Sequence, residues 1–405
     1  MAFLLGALAF VVALLASVML HEGGHLLPAK RFGMKATQYF VGFGPTLWSR
    51  RRGETEYGVK AIPLGGFVKI VGYTPLEEID PADRPRAFYR QPAGRRAIVI
   101  AGGVAANFVF AFLLLMLMAM AIGIRVPGTP TAAVDTVSPC VPANAEAACG
   151  RGDPPSPAAR AGLRAGDRVV SFNGLPVADW TQLRRAIGTA RPGQTAWVVV
   201  QRPAGNGGGQ GARQVAFQVR LAAVGGAPFL GMSPRVEGAG YERTGPVNAA
   251  IFATRVVGRT VGAIGEALAD LPSAVPRLFS PERASTPGGQ VGSVVGATDV
   301  SGQIFASQSS WQDKLVLYLS LVVSVNIFLG ALNVLPLLPL DGGHLAVVAY
   351  ERARALVART RGRPDPGTVD IAKLLPITYV AVVLLIGLGV LLILADLINP
   401  LRLPE

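Results

Sequence analysis

The chain has 405 residues, of which 51% are hydrophobic and 16% charged, with a formal net charge of +13. That charged share lies well under the roughly 25% of soluble proteins, so an ordinary string of soluble domains is excluded. A basic balance would suit nucleic acid, but the cations are concentrated in blocks next to apolar runs, which points to a lipid bilayer and away from nucleic acid.

Residues 2–20 carry no charge, and neither do 97–124, 315–340 and 374–395. A spanning helix needs about 20 apolar residues, so each run qualifies. The first run lacks the basic start and small-residue cleavage site of a secretory signal, and is read as a retained span. One basic block lies between Lys30 and Arg96, and a second between Arg352 and Lys373. Basic loops stay on the cytoplasmic side, so both termini and residues 125–314 are expected outside.

At the inner end of the first span stands His21-Glu22-Gly23-Gly24-His25. Helical residues four apart share a face, so both imidazoles can reach one metal ion and Glu22 can reach a water on it. Such a site activates water for hydrolysis, with the carboxylate as general base. The chain has three histidines, two of them in this motif. Ionisable groups beside an apolar span default to a functional reading.

Residues 36–72 read as β structure. Thr37 to Phe43 is rich in β-branched and aromatic residues, 50–54 is turn-like, and 56–72 is strand-like, broken by Pro63 and Gly65-Gly66. Residues 73–94 form a polar, Pro-rich loop before the second span. Beyond it, 126–160 is low in pattern and reads as a linker or surface loop. It contains Cys140 and Cys149, the only cysteines of the chain. In an expected oxidising compartment they are candidates for a disulfide. Order returns near 161: a strand in 161–174, helical spacing of Trp180, Leu183 and Ile187, then strands at 195–202 and 213–221 around a GNGGGQG turn. Together these make a small α/β domain. Residues 246–270 are apolar at helical spacing but interrupted by Arg255 and Arg259, as in a helix lying on the outer membrane face. Residues 281–313 read as a loop.

The third span closes on Asn333, Pro336, Pro339 and Asp341-Gly342-Gly343-His344. Zinc in a hydrolase takes about three protein ligands and keeps one open position. Asp341 is the sole acid between Asp313 and Glu351 and is the best candidate for the third ligand. His344 is a rival, or a partner behind the ligands.

HEGGH in the first span with NVLPLLPLDGG in the third resembles the site-2 protease family of intramembrane zinc proteases, including the bacterial RseP-type enzymes. The resemblance implies one zinc per chain held by His21, His25 and Asp341, with Glu22 as catalytic base. Asn333 and Pro336 match the family's NxxP element, where the Asn helps hold the substrate backbone. Pro339 follows Asn333 by six residues, where RseP-type sequences place the second proline five after. Gly42-Phe43-Gly44 and IPLGGFVKI (62–70) are similar to the family's membrane-associated β region, whose strand edge can pair with an unwound substrate. SPAARAGLRAGDRVVSFNG (156–174) resembles a PDZ domain of the permuted bacterial type.

The expected fold is thus a polytopic α-helical membrane protein with four transmembrane helices, a membrane-associated β-hairpin region and one extracytoplasmic α/β PDZ domain. The divisions are 1–27, first span; 28–94, inner loop with the β region; 95–124, second span; 125–235, PDZ domain; 236–312, outer helix and loop. They continue as 313–344, third span; 345–372, basic inner loop; 373–397, fourth span; and 398–405, outer tail. The family implies cleavage of single-span membrane proteins already trimmed by another protease, such as anti-sigma factors or signal-peptide remnants, in a bacterial inner membrane. A non-catalytic scaffold presenting a PDZ domain is the alternative, and the intact quartet of site residues argues against it.

Overall fold

The computed structural model describes residues 1–73, 77–144, 149–150, 152–203, 212–279, 292–364, 366–369 and 371–401. In chain order the elements are α1 (Ala2–Arg31), β1 (Ala36–Arg52), β2 (Thr55–Ile70), α2 (Ala93–Ala121), β3 (Ile124–Val126), β4 (Thr129–Val137) and α3 (Pro157–Ala161). They continue as β5 (Arg168–Phe172), β6 (Leu175–Pro176), α4 (Trp180–Gly188), β7 (Thr195–Arg202), β8 (Arg213–Arg220), β9 (Ala222–Val224) and β10 (Ala227–Phe229). The last are β11 (Met232–Glu237), β12 (Gly240–Glu242), α5 (Pro246–Ala274), α6 (Val294–Ala306), α7 (Trp311–Val334), α8 (Asp341–Thr360) and α9 (Leu375–Ile398). The chain divides into two compact units, one of residues 1–123 with 243–405 and one of residues 124–242.

In the helical unit α1, α2, α7 and α9 are long and apolar enough to cross a bilayer. Helix α1 runs without interruption through the HEGGH motif to Arg31. It crosses α2 where Gly24 meets the backbone of Gly102; a Cβ on either glycine would collide with the other's carbonyl oxygen. Small residues at such a crossing let two backbones approach closely. Apolar side chains of α2, α5 and α7 form one core around Ala111, Leu115, Ala253, Val323 and Ile327. Helix α5 therefore packs along two of the spanning helices through Ala253, Phe252 and Val256.

Strands β1 and β2 are long and bent, and pair antiparallel in a folded ribbon. Residues 38–41 of β1 are flanked by 66–69 of β2 on one side and 56–59 on the other. Segment 66–70 is consequently an outer strand. The bend of β1 falls at Gly42 and Gly44, with φ of +81° and +83°, a region that favours glycine.

Three expectations about the helical unit are corrected. The third span does not run to His344. Helix α7 ends at Val334, and a new helix, α8, opens at Asp341. Pro336 and Pro339 lack the N–H groups a continuing helix needs. Gly342 and Gly343 are helical and buried because the 335–340 segment folds back onto them; a Cβ on Gly343 would lie 2.5 Å from Leu338 N. As a result the basic stretch after residue 345 is helical as far as Thr360 rather than a loop. The Ser- and Gly-rich stretch before the third span contains helix α6, capped by Ser293 Oγ, which accepts from the N–H groups of Val295 and Gly296. Residues 280–291 of that stretch lie outside the described residues.

The strand-rich unit contains a sheet of order β11-β4-β5-β7-β8, with β6 paired to β5. The period-2 pattern of β7 buries Ala196, Val198 and Val200. These pack with Val169, Phe172, Leu183, Val219 and Leu230. Part of the expected linker at 126–160 is strand β4, because its partner β11 lies about a hundred residues later and no local pattern announces that pairing. Helix α4 is capped by Asp179, which accepts from Gln182 N–H at 2.8 Å. Cys140 and Cys149 form a disulfide. The GNGGGQG turn lies outside the described residues.

Candidate metal centre

Helix α1 places His21 and His25 on one face, with ring centroids 4.8 Å apart. The first turn of α8 brings Asp341 to them. His21 Nε2 lies 3.1 Å from Asp341 Oδ2, His25 Nε2 lies 3.3 Å from the same oxygen, and the two Nε2 atoms are 3.3 Å apart. Both imidazoles are buried. Among the described residues these three form the group of ligand-type side chains close enough to share a metal ion.

The triangle fits zinc. Ligand atoms at about 2.0–2.1 Å from a tetrahedral ion are separated by about 3.3–3.4 Å, close to all three edges seen here. The donor set of two imidazoles and one carboxylate is also one that catalytic zinc uses. Two facing Nε2 atoms cannot both carry protons, and among the described residues no donor other than these imidazoles reaches the buried Asp341 Oδ2. A cation at the centre satisfies all three.

The other side chains frame a cavity of about 370 Å3 lined by Val18, Glu22, Val68, Tyr73, Asn333 and His344 among others. Glu22 Oε2 accepts from the backbone N–H of Val68 at 3.0 Å. This contact seats the outer strand 66–70 beside α1, with an edge toward the motif that no other strand covers among the described residues. Tyr39 Oη donates to the Met19 carbonyl at 2.5 Å and secures the same seating. Asn333 lines the cavity from the last turn of α7, donating to Leu329 O at 3.0 Å. Pro339 also lines it. Pro336 belongs to the break between α7 and α8, and Gly42, Phe43 and Gly44 lie at the bend of β1, outside the cavity wall. His344 rests edge-on against Tyr73, with centroids 5.0 Å apart, and is outside the ligand triangle.

Helix α2 contributes residues that sequence reasoning missed. His25 Nδ1 is 2.8 Å from the Val99 carbonyl, and Asn107 Nδ2 is 3.3 Å from His21 Nδ1. Between them Gly103 faces both rings; a Cβ there would lie 2.5 Å from His25 Cε1 and 2.9 Å from His21 Cε1. The signal was present: Asn107 is a carboxamide in the middle of an apolar run. Helix α2 is also joined to α8 by the buried Arg96–Glu351 pair, at 2.5 Å, which ties the helix carrying Asp341 to the helix facing the histidines.

A family profile described as Peptidase family M50 matches residues 9–364. Zinc metalloprotease Rip1 of Mycobacterium tuberculosis is 38% identical over 432 residues, covering 100% of both chains. The regulator of sigma-E protease RseP of Escherichia coli is 26% identical over 446 residues, covering 87% of this chain and 92% of its own. Among solved structures, the PDZ domain of an SdrC-like protein from Listeria monocytogenes is 18% identical and covers 27% of this chain and 90% of that one. The TM-score of that match is 0.17.

Proposed function

The chain belongs to peptidase family M50, the site-2 protease family, and is a metalloendopeptidase of the membrane; from that premise we propose that it hydrolyses a peptide bond within or near the transmembrane segment of a single-span protein. His21, His25 and Asp341 hold one zinc ion, and Glu22 is the general base. The observation that carries this reading is the triangle of ligand atoms with edges of 3.1, 3.3 and 3.3 Å beside the half-buried Glu22 carboxylate.

Zinc, when bound there, supplies Lewis acidity toward water and the scissile carbonyl. The chain's own residues do the rest. Glu22 takes a proton from the attacking water and later gives it to the leaving amine nitrogen. Helical substrate protects its own peptide bonds, so it must unwind to be cut. The outer edge of 66–70, where Val68 N–H donates to Glu22, offers its remaining backbone groups to an extended segment. Asn333, at the cavity wall, holds that segment from the other side, with Pro336 ending the helix just beyond it. Gly42, Phe43 and Gly44 shape the ribbon that presents the edge.

The substrate class is a membrane protein shortened beforehand by another protease, such as an anti-sigma factor or a signal-peptide remnant. The protein sits in a bacterial inner membrane with the metal centre toward the cytoplasm. The strand-rich unit is outside and acts as a PDZ domain, on the strength of the 156–174 pattern, admitting trimmed substrates. Glu22→Gln tests the reading: it keeps zinc and abolishes cleavage of a reconstituted single-span substrate. Retained cleavage by that variant refutes the assigned base.

A further inference from the structure

Both Nε2 atoms point at one centre, so each must present a lone pair there. A neutral imidazole with a bare Nε2 carries its proton on Nδ1, and that N–H needs an acceptor. His25 has one in the Val99 carbonyl at 2.8 Å. For His21 the group at hand is the Asn107 carboxamide, 3.3 Å from Nδ1 and fully buried. With its NH2 turned to His21, two donors would face each other, and Asn107 Oδ1 has no partner among the described residues. The two ends of a carboxamide have the same shape, and half a turn puts Oδ1 where it accepts the Nδ1 proton.

We propose that Asn107 is a positioning residue for the metal centre: its carboxamide oxygen accepts from His21 Nδ1 and thereby fixes the imidazole with Nε2 toward the ion. It rests on the zinc reading above and extends it to α2. Val99 and Asn107 lie eight residues apart, two turns along one face of α2, with Gly103 midway between them. One face of that helix thus holds both histidines from behind. Asn107 touches neither the ion nor the reacting atoms, so its effect reads out first on metal retention.

The test measures zinc release from the purified full-length protein into excess chelator. Asn107→Leu is close in volume and lacks the acceptor; it should release zinc about 10–100-fold faster than the unaltered chain. Asn107→Asp restores an acceptor and should release zinc no faster than the unaltered chain. Asn326→Leu is the control. Asn326 is an equally buried carboxamide, bonded to Ser17 Oγ at 2.9 Å. Its loss should lower thermal stability and leave zinc release within about threefold. Unchanged release in Asn107→Leu overturns the proposal, as does failure of Asn107→Asp to restore retention. Equal acceleration in Asn326→Leu also overturns it, because general loosening then explains the effect. An unaltered chain that binds no zinc removes the reading of the site itself.

Discussion

Replacing Gly103 by alanine adds one methyl group where α2 faces the two imidazoles. That Cβ would meet His25 Nε2 and lie 2.5 Å from His25 Cε1, whereas ordinary van der Waals contact begins at 3.4 Å. Relief requires the ring or the helix to move by about 1 Å. Neither yields cheaply. The ring is fixed by the Val99 carbonyl and by its partners in the triangle, and α2 is held to α1 at the Gly24–Gly102 crossing. Metal–ligand distances tolerate only about 0.2 Å, so a displacement of this size breaks or badly bends one bond. A misplacement of about 1 Å costs about 100-fold in rate. Gly103→Ala should therefore fold, bind zinc substoichiometrically and cleave a reconstituted single-span substrate about 100-fold more slowly. Metal analysis and a cleavage time course on the same preparation measure both. Full zinc content with undiminished cleavage would refute the claim that α2 closes on the histidines.

Two predictions concern the strand-rich unit. Burial raises the Asp167 carboxyl, but the paired bonds from Arg202 at 2.7 Å each and the N–H of Arg164 outweigh it and hold Asp167 below its usual value. A depressed folded pKa means the contribution is present above about pH 4 and lost as pH falls through the folded value. Asp167→Asn should cost about 3 kcal/mol at neutral pH, and its deficit relative to the unaltered chain should shrink in acid; a pH-independent deficit in thermal unfolding contradicts this. Replacing both Cys140 and Cys149 by serine opens a loop of sequence separation 9 and should lower the stability of this unit by about 2–3 kcal/mol. Unfolding curves with and without reductant check it, and the serine variant should be insensitive to reductant.

The parts of the site that obey a local period were legible in the sequence. His21, Glu22 and His25 declare themselves by helical spacing beside an uncharged run. Asp341 could be reached by elimination, because acids are scarce near the apolar segments. The break between α7 and α8 leaves no mark in hydropathy. The run 315–340 is apolar throughout, and hydropathy does not register a change of direction; Pro336 and Pro339 did. Asn107 and Gly103 escaped because their role depends on α2 crossing α1 more than seventy residues away in sequence. A lone Asn amid apolar side chains was the available clue. Strand β4 carries no local signal for a similar reason, since its partner β11 is distant and β4 is rich in Thr and Ala.

The most direct measurement is zinc-edge X-ray absorption on the purified protein, comparing the unaltered chain with Asp341→Ala. One zinc per chain is expected, with two imidazole nitrogens and a carboxylate oxygen at about 2.0–2.2 Å, and loss of the carboxylate signal together with weakened retention in the variant. An unchanged spectrum and full zinc content in Asp341→Ala would contradict it and place the third ligand elsewhere.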